Sequence, residues 1–457
     1  MTSVRARNDT HGRRLAWPLP GAALLIALGG LALGCRGTED APKLAKTVAA
    51  PLDLSSVPVP PADGPRLGAT AEITPVLARP DEKSEQIGYL HAGAQVARAA
   101  EPIATDGCAD GWYPVRPRGF VCAGRGATLD LAHPTLVAMS LQPKLDQELP
   151  YAYARASQKS SLFTTDPRRD DGVQPAEPLA ARSGMAVVGS WSALDPEGKT
   201  QRLGMLTNGR FVPADDLERA EPSSFTGVAL DGEKETLPVA FVVRRGIHTF
   251  KLDGMTAQQL GELEYHETVR LTGRYRTVGD VRFWALPSGR WVRHRDVTVV
   301  RRREVFPDFA AGDQKWLDIS IVTGTCVLYE GKRPVFATLV SVGQDRLGDP
   351  ETSQSTARGT FNIVGKHITA TGVDPDSFGE PFRVYDAPWA LELSSGQMIH
   401  GAYWHDRFGV EEGAGNIELS PQDARRLWSW AAPDLPEGWH GVTQPPQSSP
   451  TVVVIRS

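Results

Sequence analysis

Apolar residues along this chain come in short runs that alternate with polar positions and end at glycine or proline. A period of two bounded by turn residues predicts strands. Ala71 to Leu77 forms one, Arg79-Pro80-Asp81 a turn, and Ile87 to Leu90 the next. Gly93 precedes a strand from Ala94 to Ala97. Gly111 to Val115 and Gly119 to Cys122 make a closing hairpin. Further on, Leu317, Ile319 and Ile321 alternate with polar positions before a turn at Gly324. Cys326 to Tyr329 then pairs with Val335 to Ser341 through Glu330 to Pro334. Phe382 to Val384, Trp389 to Leu391 and Thr451 to Ile455 are further strands. Few segments keep a 3.6-residue period. One opens at Pro421, with Gln422 and Asp423 in its first turn and Ala424, Leu427 and Trp428 as its apolar stripe. The expected class is mainly β.

The middle of the chain repeats itself. Leu206 to Val212 recurs as Leu286 to Val292 at an offset of 80, and Asp216-Leu217 recurs as Asp296-Val297. Leu149 to Tyr153 matches Leu237 to Phe241 at an offset of 88, which places an extra loop of eight residues in the first copy, around Asp166 to Pro178. Gly119-Phe120-Val121 echoes the same closure. Residues 66–130 resemble a bacterial SH3-like domain, and 146–230 and 231–305 read as two related barrels in series. Trp112, Trp284 and Trp291 are candidates for stacking on sugars or peptides. Such residues more often plug a barrel core.

A chain of 457 residues is too long for one ordinary domain. The 41% hydrophobic and 23% charged content is that of globular material, and 45 glycines with 36 prolines favour many turns. The net charge of −5 argues against a nucleic-acid partner. Arg5, Arg7, Arg13 and Arg14 precede an apolar stretch from Leu15 to Leu33, the pattern of a targeting segment. Leu31-Ala32-Leu33-Gly34-Cys35 resembles a lipoprotein signal-peptidase site. That makes 1–34 a signal peptide, Cys35 the lipidated residue and the lipid chain a membrane anchor; an uncleaved anchor is the alternative. Arg36 after the cysteine points to the outer membrane. Residues 35–65, rich in Pro, Ala and Ser, read as an extended spacer. In an oxidising envelope compartment Cys108 and Cys122 are the natural disulfide pair. Cys326, inside an apolar run, reads as a buried thiol.

The candidate chemistry lies between Ile399 and Ser420. His400 and His405 are followed by a glycine-rich turn, Gly413-Ala414-Gly415-Asn416, which leads into the helix at Pro421. A glycine turn before a helix N-terminus exposes backbone N–H groups suited to an oxyanion. Two histidines five residues apart on an extended strand would face opposite ways, and with no third ligand in place no metal and no cofactor is expected. Glu411, Glu412 and Glu418 bring negative charge that would hold a cationic amine or lie on a solvated loop.

The run His400-Gly401-Ala402-Tyr403-Trp404-His405, then Phe408-Gly409, Leu419-Ser420-Pro421 and Asp423-Ala424, resembles the L,D-transpeptidase (YkuD-type) family. Lys315 to Asp318, Tyr329-Glu330-Gly331, Arg358 to Phe361 and Gly438 to Gly441 extend the likeness over 313–457. The resemblance implies a mixed β-sandwich with a helix after the catalytic-position turn, so the whole reads as serial SH3-like small barrels followed by that sandwich. It implies an envelope protein facing the periplasm, with peptidoglycan stem peptides as partners. His400, Tyr403, Trp404 and His405 would line the pocket. In the family a cysteine thiolate attacks a tetrapeptide-stem carbonyl and expels D-alanine, with a histidine as base.

The ungapped register puts Gly413 on the family's serine, Ala414 on its histidine, Gly415 on its glycine, Asn416 on its cysteine and Glu418 on its asparagine. An amide has no lone pair suited to acyl attack, and alanine cannot take a proton. The expectation is a non-catalytic binder of peptidoglycan peptides, with an active transpeptidase or another envelope protein as a possible partner class. The alternative is an active L,D-transpeptidase in cross-linking or protein attachment. A purely structural spacer is the third class.

Overall fold

Three successive stretches of short strands pair in one pattern. In the first, Arg66–Ala69 pairs with Gln95–Ala97 and Ala127–Thr128, Thr74–Leu77 pairs with Gln86–Leu90 and Phe120–Cys122, and Trp112–Pro114 closes on Phe120–Cys122. In the second, Ala152–Ala156 lies between Gly184–Leu194 and Leu217–Arg219, and Ser160–Thr165 between Val173–Leu179 and Phe211–Pro213. In the third, Val239–Val242 lies between Thr268–Arg270 and Val297–Val300, and Ile247–Asp253 between Thr256–Leu263 and Trp291–Arg293. This computed structural model describes residues 54–166, 172–195, 197–232, 236–371 and 382–457. The expected signal segment and Cys35 lie outside the described residues.

The hairpin closures of the second and third stretches match bond for bond. Gly209 N donates to Leu206 O at 3.0 Å and Leu206 N to Arg210 O at 2.9 Å; Gly289 N and Leu286 N do the same with Leu286 O and Arg290 O, at 3.0 and 2.9 Å. Both glycines take a positive φ, 73° and 81°, which explains why glycine recurs at this position. Trp112 and Trp284 are buried, and Trp291 packs beside Phe250 and Phe283, so all three fill module cores. The extra loop assigned to 166–178 is only partly loop, because Val173–Leu179 is a strand. Some of the first copy's added length goes instead into the hairpin between Gly184–Leu194 and Thr200–Leu206.

Cys108 and Cys122 are bonded to each other. Leu54 and Val57 pack beside that disulfide, and Arg116 Nη1 donates to Pro60 O at 3.0 Å. The end of the segment read as an extended spacer therefore lies against the first module. Apolar Leu54 and Val57 give it a reason to dock.

In the C-terminal domain, Lys315–Ser320, Thr325–Glu330 and Arg333–Leu339 form an antiparallel set. Val452–Arg456 runs parallel to Lys315–Ser320 and antiparallel to the start of Gly359–Ala370. That long strand shifts register between Ile363 and Gly365 and continues beside Ala387–Leu393. Met398–Gly401 and a parallel strand, Ile417–Leu419, complete the sheet. The domain is thus mixed β, and the helix Pro421–Trp430 covers the last strands. Ser420 caps the helix by accepting from Asp423 N at 3.3 Å, Pro421 occupies its first turn, and Ala424, Leu427 and Trp428 are buried. Phe382 to Val384 is not a strand; Val384 makes only an isolated bridge to Gly184.

The modules are not strung out in series. Leu54–Ser457 forms one compact unit. Gly88 and Tyr89 pair with Val442 and Gly441, which carries the first module's sheet into the C-terminal one. Val228–Ala229 adds an edge strand to Arg333–Leu339. Tyr153, Phe225 and Phe241 from the middle modules share a core with Trp316, Tyr403 and Phe408. Phe408 is 1% exposed, so its burial contributes about 2 kcal/mol to that junction. Two buried carboxylates fasten it. Asp386 accepts from Ala186 N at 3.1 Å and Thr207 Oγ1 at 2.9 Å. Asp423 accepts from Thr226 Oγ1 at 2.7 Å, Gly227 N at 2.9 Å and Thr338 Oγ1.

Candidate functional site

The chain leaves its strand at Gly401, runs irregularly to Asn416 and re-enters as Ile417–Leu419 beside the strand it left. His400 is thereby the register partner of Glu418. His405 lies beyond the strand end, and its Nε2 donates to Glu418 Oε2 at 2.8 Å. The two histidines therefore do not point apart along one strand; both lie near one carboxylate, because the strand ends between them. His405 Nδ1 accepts from Arg407 N at 3.1 Å, so each ring nitrogen has a fixed partner and the ring acts as a clamp.

Glu418 is 1% exposed. Burial alone would raise its pKa, but the hydrogen bond from His405 and the two neighbouring imidazoles hold it below the usual carboxylate range. His400 is fully buried with Nε2 unpartnered, and burial lowers its pKa, so it is neutral. Neither of the other two acids is a free charge: Glu412 pairs with Arg407, and Glu411 Oε1 meets Arg346 Nε at 2.7 Å. The reading of these carboxylates as an open amine site or a solvated loop gives way to two arginine pairs and one buried carboxylate hydrogen-bonded by His405.

The turn is held from several sides. Gly413 and Gly415 have φ of 73° and 93°, a region that favours glycine. A Cβ on Gly413 would stand 3.1 Å from Glu418 Oε1. Gln397 bridges the turn to its neighbour, accepting from Ala357 N at 3.2 Å and donating to Gly415 O at 2.6 Å. Asn416 Oδ1 accepts from Met398 N at 2.9 Å. Its side chain thus does the work of a strand carbonyl where the parallel ladder starts. Ala414 is exposed and bears no titratable group.

Tyr403 is 1% exposed, in the shared core with its ring centroid 4.4 Å from that of Tyr153, and Trp404 packs against His400. Among the described residues, Cys326 is the unbonded thiol; it is buried in the core, and burial pushes its pKa up, so it is inert. Also among the described residues, no group of three or more His, Cys, Asp or Glu is placed to hold a metal ion, and no helix is long and apolar enough to cross a membrane. The arrangement offers backbone N–H groups and a fixed turn, with no nucleophile or base at its tip. The roles of Gln397 and Met398 were not legible in advance, since a glutamine after Ser395-Gly396 reads only as a turn residue.

The profile of the L,D-transpeptidase catalytic domain (YkuD) matches residues 314–454. No curated protein matches the chain. Among solved structures, the chain is similar to an L,D-transpeptidase variant of Enterococcus faecium at 15% identity, covering 32% of this chain and 50% of that one with a TM-score of 0.23. It is similar to an L,D-transpeptidase of Mycobacterium smegmatis at 16% identity, covering 41% and 82% with a TM-score of 0.25. L,D-transpeptidase 1 of Mycobacterium tuberculosis is similar at 20% identity, covering 41% and 82% with a TM-score of 0.22. The chain thus spans half the length of the enterococcal protein. Residues 314–454 are an L,D-transpeptidase-family domain, which implies a peptidoglycan-related role in the cell wall.

Proposed function

We propose that this chain is an envelope protein whose L,D-transpeptidase-type domain binds peptidoglycan stem peptides without transferring acyl groups. One observation carries the reading. Asn416, at the nucleophile's position in the motif, has its side-chain oxygen committed to Met398 N at 2.9 Å. A residue recruited to close a backbone ladder is held away from a substrate carbonyl, and an amide would not attack it. Ala414, at the position of the base, supports the same conclusion. Lipidation at Cys35 would tether the protein to a membrane, the outer one by the Arg36 signal. The three β-modules, SH3-like in this proposal, would present the domain to the wall.

Binding is tested with intact sacculi and purified muropeptides. The proposal expects the chain to pellet with sacculi and a tetrapeptide stem to displace it. No retention above that of a soluble control protein would leave only a structural spacer and defeat the binding claim.

A further inference from the structure

A second groove lies between the third module and the C-terminal domain, and neither Gly413 to Asn416 nor Glu418 lines it. Its cavity volume is 650 Å3, and all of its seven long cationic side chains are arginines. One carboxylate, Asp318, also lines it. Asp318 is 4% exposed and is bonded to Arg303 Nη1 at 2.7 Å and Arg456 Nε at 2.9 Å. These three groups form the floor. Arg346 is held by Glu411 at one end.

Among the described residues, Arg244, Arg301 and Arg302 have no carboxylate partner, and Arg295 approaches Asp296 at 4.0 Å. Arg244 Nη2 donates to Arg295 O at 2.9 Å, and the Arg301 guanidinium stacks over Trp284 at 4.9 Å. These contacts orient the two side chains without cancelling their charge. Arg302 is exposed at the groove. His294 adds no charge, because burial and the neighbouring Arg282 and Arg301 lower its pKa. A net charge of −5 over the chain makes this concentration of cations local rather than a consequence of a basic composition.

Guanidinium groups supply planar forks of donors and accept nothing, so the complementary ligand is an anion rich in acceptor oxygens. Three cations without a carboxylate partner, with loosely paired Arg295 beside them, match a ligand with repeated negative groups better than a single carboxylate. We infer that this groove binds a chain or cluster of phosphate groups, carried by a soluble phosphate-bearing polymer or by phosphorylated lipid headgroups. The inference stands whether or not the C-terminal domain binds stem peptides.

The test measures binding of the full chain to fluorescently labelled long-chain polyphosphate across a salt series, with polyglutamate as the carboxylate counterpart. Tight polyphosphate binding, with polyglutamate about tenfold weaker or more, is the expected result. Arg302→Glu with Arg301→Gln should weaken polyphosphate by about tenfold or more and lower the salt slope by about two. Arg118→Glu, a charge change in the first module, should leave it unaltered. Phosphatidylcholine vesicles with and without phosphatidic acid distinguish the sources. Retention on the acidic vesicles that polyphosphate competes away assigns the site to lipid headgroups; binding of the soluble polymer alone assigns it to a polymer. Absence of polyphosphate binding, equal binding of polyglutamate, or binding that the paired groove substitutions leave unchanged while thermal unfolding confirms the fold would overturn the inference.

Discussion

Asn416 Oδ1 accepts a hydrogen bond from Met398 N at 2.9 Å, across the mouth of the parallel pair that starts one residue later. In the proposed reading this side chain stands where the family motif has its thiol; here it serves the sheet. Asn416→Ala leaves the Met398 N–H unpaired in a partly buried place, at a cost of about 1–2 kcal/mol. Thermal unfolding should shift down by about 2–4 °C. An unchanged midpoint would mean that the bond is incidental.

The His405–Glu418 pair makes an asymmetric prediction. His405→Phe strands a buried carboxylate, whereas Glu418→Gln removes the charge and keeps the shape. Denaturant titration should find the histidine substitution more damaging, by about 3 kcal/mol against the native chain. The pH dependence has a definite sign. A carboxyl held below its unfolded pKa of about 4.3 contributes stability above that value and loses it as the pH falls through the folded one. Acid titration of Glu418→Gln should therefore show a smaller loss on the acid side than the native chain.

A second pH effect arises where the first module meets the C-terminal domain. Burial pushes the His91 pKa down to about 4, against the bond to the Ala92 backbone. The facing groups are His440, with ring centroids 4.6 Å apart and also lowered by burial, and Tyr151, which lines the same cavity. A depressed histidine stabilises the fold fully above about pH 6.5, and the contribution is lost as the pH falls towards 4. Asp386 opposes this trend, since burial pushes its carboxyl up to about 6 and favours the fold on its acid side. The difference between the native chain and His91→Phe isolates the histidine. The variant should lose less stability between pH 6.5 and 4. Parallel pH profiles would contradict the assignment.

Asp423 joins the helix N-terminus to Thr226 and Gly227 of the second module's tail. Asp423→Ala frees that tail and costs about 3 kcal/mol, because several bonds to one charged group are lost together. Limited proteolysis should cut residues 221–232 faster in the variant. Equal cleavage rates would show that the edge strand Val228–Ala229 holds by itself.

Local chemistry in the sequence pointed to much of this. Pro421 after a capping serine, with apolar residues at Ala424, Leu427 and Trp428, defines the helix where it occurs. The hairpin through Gly331 and the repeated Gly-Arg closure were legible for the same reason: neighbours along the chain make their bonds. Long-range pairing was not. Nothing near Tyr89 announces Gly441 as its partner, and Val384 takes a single bridge from Gly184. The placement of His400 and His405 depended on assuming an extended chain between them, and the strand ends at Gly401. Arg346 reaches Glu411 from a distant segment, and the arginine groove joins the local run Arg301-Arg302-Arg303 to Arg244, Arg346 and Arg456 from separate elements, so only that run was visible along the chain.

The central claim is that this domain lacks acyl transfer. Incubation with a murein tetrapeptide stem, followed by intact-mass analysis and assay of free D-alanine, tests it directly. The account predicts an unmodified mass and no D-alanine above the protein-free background, beside an active L,D-transpeptidase that releases it. A covalent stem on the chain, or D-alanine released in more than one turnover, would contradict it.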